Sequence, residues 1–191
     1  MRRLAVAVAA VLAAAAFGAA LAQATSVRDR DDVTSTLDIA KAAGAHNRAS
    51  DQLVHTVDFY AAVAPAAMVN KDKPPSTVCV EIWTRSEPGE SPADYEACAG
   101  PAKGGKSWVG SIARKRERGA QLRIGAVKVE QPSDTRLVLR IDPDDMKRPA
   151  SYRWRTESTS FGTDCTSSVG CPDYAPDRPA TAETRVAASS S

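Results

Sequence analysis

Alternation of apolar and polar residues at every second position is the pattern that most limits the folds open to this chain. It recurs along most of the sequence, while the spacing typical of amphipathic helices is almost absent. Turn-forming residues separate the alternating runs. Eight strands are predicted, over residues 37–43, 52–60, 77–84, 94–99, 108–114, 121–130, 135–141 and 151–157. Their number and spacing predict an all-β fold, an antiparallel jelly-roll-like β-sandwich of about eight strands.

Residues 1–22 have the composition of a secretory signal peptide. Arg2 and Arg3 precede an alanine-rich apolar run, which ends in small residues around Ala20 and Ala22. A retained membrane anchor is the alternative, but the run is barely long enough to span a bilayer and no basic cluster follows it. We therefore predict a secreted, extracellular protein with no membrane span after cleavage.

The remaining chain is predicted to contain one domain, followed by a tail. Residues 23–174 suit a single β-sandwich domain in length and pattern. From Ala175 onward the composition shifts to Pro, Ala, Thr and Ser, with few large apolar side chains to offset the entropy of ordering. Residues 175–191 are therefore predicted to form a disordered tail.

The charge balance argues against a nucleic-acid partner. The whole chain has 25 basic and 23 acidic residues, and removal of the leader takes away two arginines and leaves the mature charge near zero. A nucleic-acid binder ordinarily carries a net basic face. The one dense basic run, at Arg114, Lys115, Arg116 and Arg118, lies between two predicted strands. A solvated hairpin loop explains it better than a contact with phosphate.

Four cysteines in an exported chain predict disulfide bonds. If residues 77–84 and 94–99 form an antiparallel hairpin with Trp83 opposite Asp94, Cys79 faces Cys98 and a cross-strand disulfide follows from the register. Cys165 and Cys171 would then close a small loop. Zinc is disfavoured because no Cys-x-x-Cys pair is present and both histidines are distant in sequence from the cysteines.

The chain lacks a convincing set of catalytic residues, so we predict that it is not an enzyme. His55 alternates within a strand and is predicted to be a packed core histidine, whereas His46 is predicted to lie solvated in a turn. The same hairpin register places Glu81 opposite Glu96, a carboxylate pair of the kind used in glycoside hydrolysis. The pair would lie too close for that chemistry, and ion pairing with Arg153 or Arg155 is the preferred interpretation.

Two aspartate clusters offer oxygen ligands for a structural calcium ion. Asp29, Asp31, Asp32 and Asp38 form the first cluster, and Asp142, Asp144 and Asp145 form the second. Hard cations of this kind are held by carboxylate and carbonyl oxygens. Capping and turn roles are the alternative, with Asp142 as the cap of a single helical turn. No other cofactor is predicted.

Trp83 is the candidate for an exposed aromatic platform. It shares a strand face with Cys79 and Glu81, opposite the apolar Val78, Val80 and Ile82. Together with Glu81 and Glu96 it forms the predicted ligand-binding residues. A tryptophan that packs over the disulfide is the competing interpretation.

A family resemblance follows from three segments. Asp31-Asp32 followed by Leu37-Asp38-Ile39, the strand 53–57, and residues 80–84 leading to Asp94-Tyr95-Glu96 resemble the layout of DOMON-like and family 9 carbohydrate-binding-module-like domains. That superfamily includes sugar-binding and haem-binding members, but neither a second sugar-stacking tryptophan nor a Met and His pair for haem can be assigned in this chain. We therefore predict a secreted non-catalytic binding or accessory module, with extracellular polysaccharide as its candidate ligand. An envelope structural or protein-interaction protein is the alternative.

Overall fold

The computed structural model describes residues 24–85, 88, 92–115, 120–162, 165 and 167–187 of the 191-residue chain. The predicted signal peptide lies outside this part. Eleven strands, β1 to β11 in chain order, make up most of it: Thr25–Arg28, Ile39–Asn47, Gln52–Phe59, Thr77–Trp83, Tyr95–Pro101, Trp108–Lys115, Gln121–Ser133, Arg136–Ile141, Ser151–Ser160, Cys171–Ala175 and Ala182–Arg185. Two short 3-10 helices, Pro65–Met68 and Pro143–Met146, lie between strands. No helix among these described residues is long and apolar enough to cross a membrane.

The strands form an antiparallel sheet that is nearly closed into a barrel. Their order is β1-β2-β3-β8-β7-β6-β5-β4-β9-β10, and β11 pairs with β9 beyond the end of β10. The predicted all-β, antiparallel class is confirmed, and each of the eight predicted strands overlaps one strand from β2 to β9. The pairing connects β1 to β10 along one path, with β11 as a branch on β9, so the predicted jelly-roll-like sandwich is not confirmed.

The alternating pattern explains how this sheet encloses a core. Along β3, Leu53, His55, Val57 and Phe59 are buried, while the residues between them are only half-buried. A strand places successive side chains on opposite faces, so a period-two sequence buries one face against the barrel interior. Trp154 on β9 is fully buried among these residues.

The prediction of a disordered tail is wrong for residues 175–187. β10 and β11 both pair with β9, and Ala182, Thr184 and Val186 are buried. The Thr184 hydroxyl accepts a hydrogen bond from Nε1 of Trp154 at 2.9 Å. Small and polar side chains are sufficient here because pairing with β9 satisfies the backbone and the core supplies the apolar surface. Residues 188–191 lie outside the described part.

Contacts between the β1–β2 edge and the β10–β11 edge close the barrel, and we call them the closing seam. The Thr25 hydroxyl donates to the carbonyl of Glu183 at 2.5 Å, and the backbone N–H of Ile39 donates to Oδ2 of Asp173 at 2.6 Å. At Gly44 in β2, a Cβ atom would lie 2.8 Å from both Oγ1 of Thr184 and Nε1 of Trp154. The seam therefore depends on the absence of a side chain at Gly44.

We expect Gly44→Ala to destabilise the protein by about 2 kcal/mol, because the added methyl group meets the buried Trp154–Thr184 hydrogen bond in a packed interior. Urea unfolding of the protein measures the effect. Gly100→Ala is the matched control, since a Cβ there would meet its nearest neighbour at an ordinary 3.5 Å. Equal stability of the two variants would contradict a tight seam.

Candidate functional site

Both predicted disulfides are present. Cys79 pairs with Cys98 across β4 and β5, with 4.0 Å between their Cα atoms, and Cys165 pairs with Cys171. The β4–β5 register also places Glu81 opposite Glu96, as predicted. The cross-strand disulfide therefore fixes one end of a charged face on the outside of β4, β5 and β9.

The Glu81–Glu96 pair is neutralised by basic side chains. Arg155, directly opposite Glu81 on β9, donates to Oε2 of Glu81 from Nε at 3.0 Å and also from Nη2. Lys115 Nζ lies 3.1 Å from Oε1 of Glu96 and 3.7 Å from Oε1 of Glu81, and Gln121 donates to the other oxygen of Glu96. The ion-paired interpretation fits this geometry, with Arg155 and Lys115 as the partners.

Trp83 does not form the predicted exposed platform. Only 4% of its surface is accessible. The guanidinium carbon of Arg155 lies 5.3 Å from the Trp83 ring centre and 5.2 Å from that of Tyr174, while Arg178 covers Tyr174 at 4.1 Å. Cation–π contacts of this kind cover the aromatic faces. This burial agrees with the competing interpretation of a packed tryptophan. The sequence could not indicate which residues cover the ring, because β9 and β10 bring Arg155 and Tyr174 from distant parts of the chain.

A third carboxylate, Glu157, joins this face from β9. Burial, and then the neighbouring charge of Glu81, raise the pKa of Glu157 above its usual range. The Thr159 hydroxyl donates to Oε1 of Glu157 at 3.2 Å, and Nη2 of Arg178 lies 3.8 Å from its other oxygen. The sequence analysis missed Glu157, although its period-two relation to Arg155 indicated that it faces the same side.

A surface pocket of about 190 Å³ lies where β4 ends and β9 begins, and we call it the β4–β9 pocket. It is lined by Trp83, Thr84, Arg85, Ser151, Tyr152, Arg153 and Glu183. A second depression of about 390 Å³ shares Thr84, Arg85 and Ser151 with it and extends to Tyr95, Met146 and Lys147. Of the predicted ligand-binding residues, Trp83 lines the β4–β9 pocket, while Glu81 and Glu96 belong to the ion-paired face.

The exposed charges around the pocket are mainly basic. Arg85, Arg153 and Lys147 are exposed, with Glu183 as the acidic residue of the pocket lining. Asp94 positions Arg85: it accepts hydrogen bonds from the backbone N–H groups of Thr84 and Arg85 at 2.8 and 2.9 Å, and it lies 3.5 Å from the Arg85 guanidinium. The pocket thus offers several hydrogen-bond donors to a ligand.

The first aspartate cluster is only partly assembled as predicted. Asp38 is buried and accepts from the backbone N–H of Val33 at 3.2 Å, whereas Asp31 and Asp32 are exposed. Asp173 on β10 joins Asp29 and Asp38, an association that the sequence could not indicate across more than 130 residues. In the second cluster, Asp142 accepts from the backbone N–H of Asp144 at 2.9 Å, which is the predicted capping role.

Within the described part of the chain, one group of three potential metal-ligating side chains has all its donor atoms within 4.8 Å of one another. It consists of Cys79, Glu96 and Cys98. Its two sulfur atoms are joined in the disulfide, so they are not thiolate ligands. Because its two cysteines are not thiolates, this group does not indicate a metal-binding site.

The two histidines have different structural roles. His55 is a core residue, as predicted, with Nε2 2.9 Å from the hydroxyl oxygen of Tyr152 and its ring edge against Trp154. The prediction for His46 is wrong, because this residue lies in β2 and is 3% exposed. Its Nδ1 accepts from the backbone N–H of Ala187, while Nε2 lies 3.0 Å from Oδ1 of Asp51. His46 therefore helps to hold the C-terminal segment.

No protein family, curated protein or solved structure matches the chain. The pocket, its charges and the local chemistry are therefore the basis for a functional assignment.

The buried His55 predicts acid sensitivity. Burial lowers the pKa of His55 from 6.5 to about 3, so the unfolded chain binds a proton there that the folded protein does not. Stability should therefore fall as pH drops below 6.5, with a His55 contribution of about 3 kcal/mol between pH 7 and pH 4. We expect His55→Gln, which retains a hydrogen-bonding group for Tyr152, to show a shallower slope in urea unfolding across this range. An unchanged slope would contradict a neutral, buried His55.

Proposed function

We propose that this protein is a secreted, non-catalytic binding module that takes a carboxylated polysaccharide in the β4–β9 pocket. The observation that supports this most is that Arg85 and Arg153 line one pocket together with the polar side chains of Thr84, Ser151 and Glu183. In small-molecule sites a few well-placed polar groups fix the orientation of the ligand and provide specificity.

The basic rim favours an acidic sugar over a neutral one. A guanidinium group can donate two parallel hydrogen bonds to a carboxylate, which adds both energy and orientation. Thr84, Ser151 and Glu183 provide partners for sugar hydroxyl groups. A neutral pyranose relies more on stacking against a ring face, and the face of Trp83 is covered by Arg155. The uronate carboxylate is therefore the group that the pocket recognises in this proposal.

The proposal includes export from the cell. The leader over residues 1–22 is the sequence basis, and the two disulfides support it because such bonds persist in oxidising compartments. The proposal also keeps the resemblance to DOMON-like and family 9 carbohydrate-binding-module-like domains, which the antiparallel all-β fold supports. The ion-paired state of Glu81 and the structural contacts of both histidines favour binding over catalysis.

Isothermal titration calorimetry with an oligogalacturonate tests the proposal, and its methyl ester is the matched neutral ligand. We expect the secreted protein to bind the acid form and to bind the ester at least about tenfold more weakly, since a charge-assisted hydrogen bond contributes more than about 1.4 kcal/mol. Arg85→Gln and Arg153→Gln should each weaken binding of the acid form by about the same factor.

Arg123→Gln is the control variant, because Arg123 is exposed on β7 and does not line the pocket. It should leave binding unchanged. Equal weakening by all three substitutions would indicate a non-specific charge effect and contradict a pocket site. Absence of binding to either ligand would contradict the proposal and favour an envelope protein as the partner.

A further inference from the structure

The second depression beside the β4–β9 pocket continues that pocket as one groove, because the two share Thr84, Arg85 and Ser151. Arg153 lines only the β4–β9 pocket and Lys147 lines only the second depression, whereas Arg85 lines both. The three basic residues therefore follow one another along the groove, with Arg85 in the middle. We call the second depression the Lys147 depression.

The Lys147 depression is the larger part of this groove, with a volume of about 390 Å³ against about 190 Å³ for the β4–β9 pocket. Arg85 and Lys147 are exposed basic residues, and none of the described residues that line the depression is acidic. The apolar part of its lining consists of Tyr95, Met146, Pro149 and Ala150. The depression thus offers cations for a carboxylate and apolar surface for the C–H groups of a sugar ring.

The turn that carries Lys147 has an unfavourable backbone conformation. Lys147 and Arg148 have φ angles of 61° and 47°, in the left-handed region that favours glycine. Lys147 follows the 3-10 helix Pro143–Met146, and glycine is the usual residue in this conformation at the end of a helix. Non-glycine residues in such conformations cluster at functional sites, where the surrounding structure holds them. A lysine at this position therefore indicates a use for its side chain.

Ion pairs hold this turn in place. Nη1 of Arg148 donates to both carboxylate oxygens of Asp51, at 2.9 and 2.8 Å, and Nε donates to Oδ1 of Asp144 at 3.0 Å. Asp51, in the turn between β2 and β3, itself has a φ of 48°. In the part of the chain that the structure describes, the non-glycine residues with positive φ are thus Asp51, Lys147 and Arg148. They belong to one cluster, which fixes the backbone of Lys147 at the depression.

We propose that the Lys147 depression is a second carboxylate subsite, so that the groove binds successive uronate units of one polysaccharide chain; this rests on the proposed function. The ammonium group of Lys147 pairs with the carboxylate of the added unit as a compact point charge. Because the units are covalently linked, the second contact forms within a complex that already exists and raises the affinity for the longer chain. Lys147 thereby determines the preference for chain length.

Isothermal titration calorimetry with digalacturonate and with tetragalacturonate tests this proposal. The shorter oligomer fills the β4–β9 pocket, and the longer one extends into the Lys147 depression. We expect tetragalacturonate to bind about tenfold more tightly. Lys147→Gln should reduce this gain to the small statistical factor that a longer chain supplies, and it should leave the binding of digalacturonate unchanged.

Lys147→Gly provides a second variant, because glycine adopts the left-handed conformation without strain. It should keep or raise the Tm of the protein and still remove the gain, which separates a binding role of the side chain from a role in the fold. Lys106→Gln is the matched control, since Lys106 is exposed and lines neither part of the groove. It should keep the full gain.

The proposal is overturned if the unmodified protein binds both oligomers with the same affinity, if Lys147→Gln keeps the gain, or if Lys147→Gln weakens both ligands equally. In each of these cases, binding of digalacturonate that depends on Arg153 would still support the proposed function. Absence of binding to either oligomer would contradict both proposals.

Discussion

The contact of Gly44 with the Trp154–Thr184 hydrogen bond is the constraint on which the rest of this structure depends. It allows β2 to approach β9 and β11 closely enough to close the sheet around the core. Without that approach, β11 would have only a four-residue pairing with β9 to hold it. Its docking in turn places Glu183 beside Ser151 and Arg153, and these residues form a wall of the β4–β9 pocket. The seam thus links the packing of the barrel to the shape of the candidate site.

A second constraint acts on the outside of the same strands. Arg155 is nearly buried, donates to Glu81 and lies close to the rings of Trp83 and Tyr174. One guanidinium group therefore neutralises a buried carboxylate and also covers the aromatic surface on which a sugar would stack. Breaking a buried pair of this kind is costly, because it leaves an uncompensated charge. The recognition groups left at the surface are the polar and basic residues of the pocket rim, which is why the proposed ligand is acidic.

The features that sequence analysis predicts well are those encoded locally. Alternation of apolar and polar residues predicts the strands from β2 to β9. The register of one predicted hairpin then predicts both the Cys79–Cys98 disulfide and the Glu81–Glu96 pair. β10 and β11 were missed because their side chains are small or polar and their order comes from pairing with β9. The residues that cover Trp83, and the association of Asp173 with β2, were missed for a related reason, since strands far away in sequence set both. His46 was placed in a turn because Gly44 and Asn47 lie beside it, and the backbone of Ala187 that it contacts comes from the other end of the chain.

The three tryptophans provide the most direct test of where the ligand binds. Trp83 lines the β4–β9 pocket, Trp108 donates its indole N–H to Gln131, and Trp154 donates its own to Thr184 inside the barrel. Each indole N–H gives a separate signal in a ¹⁵N-resolved NMR spectrum of the protein. Upon titration with an oligogalacturonate, the signal of Trp83 should shift while those of Trp108 and Trp154 stay in place. A spectrum in which the Trp83 signal does not move, or in which Trp108 moves instead, would contradict binding at this pocket.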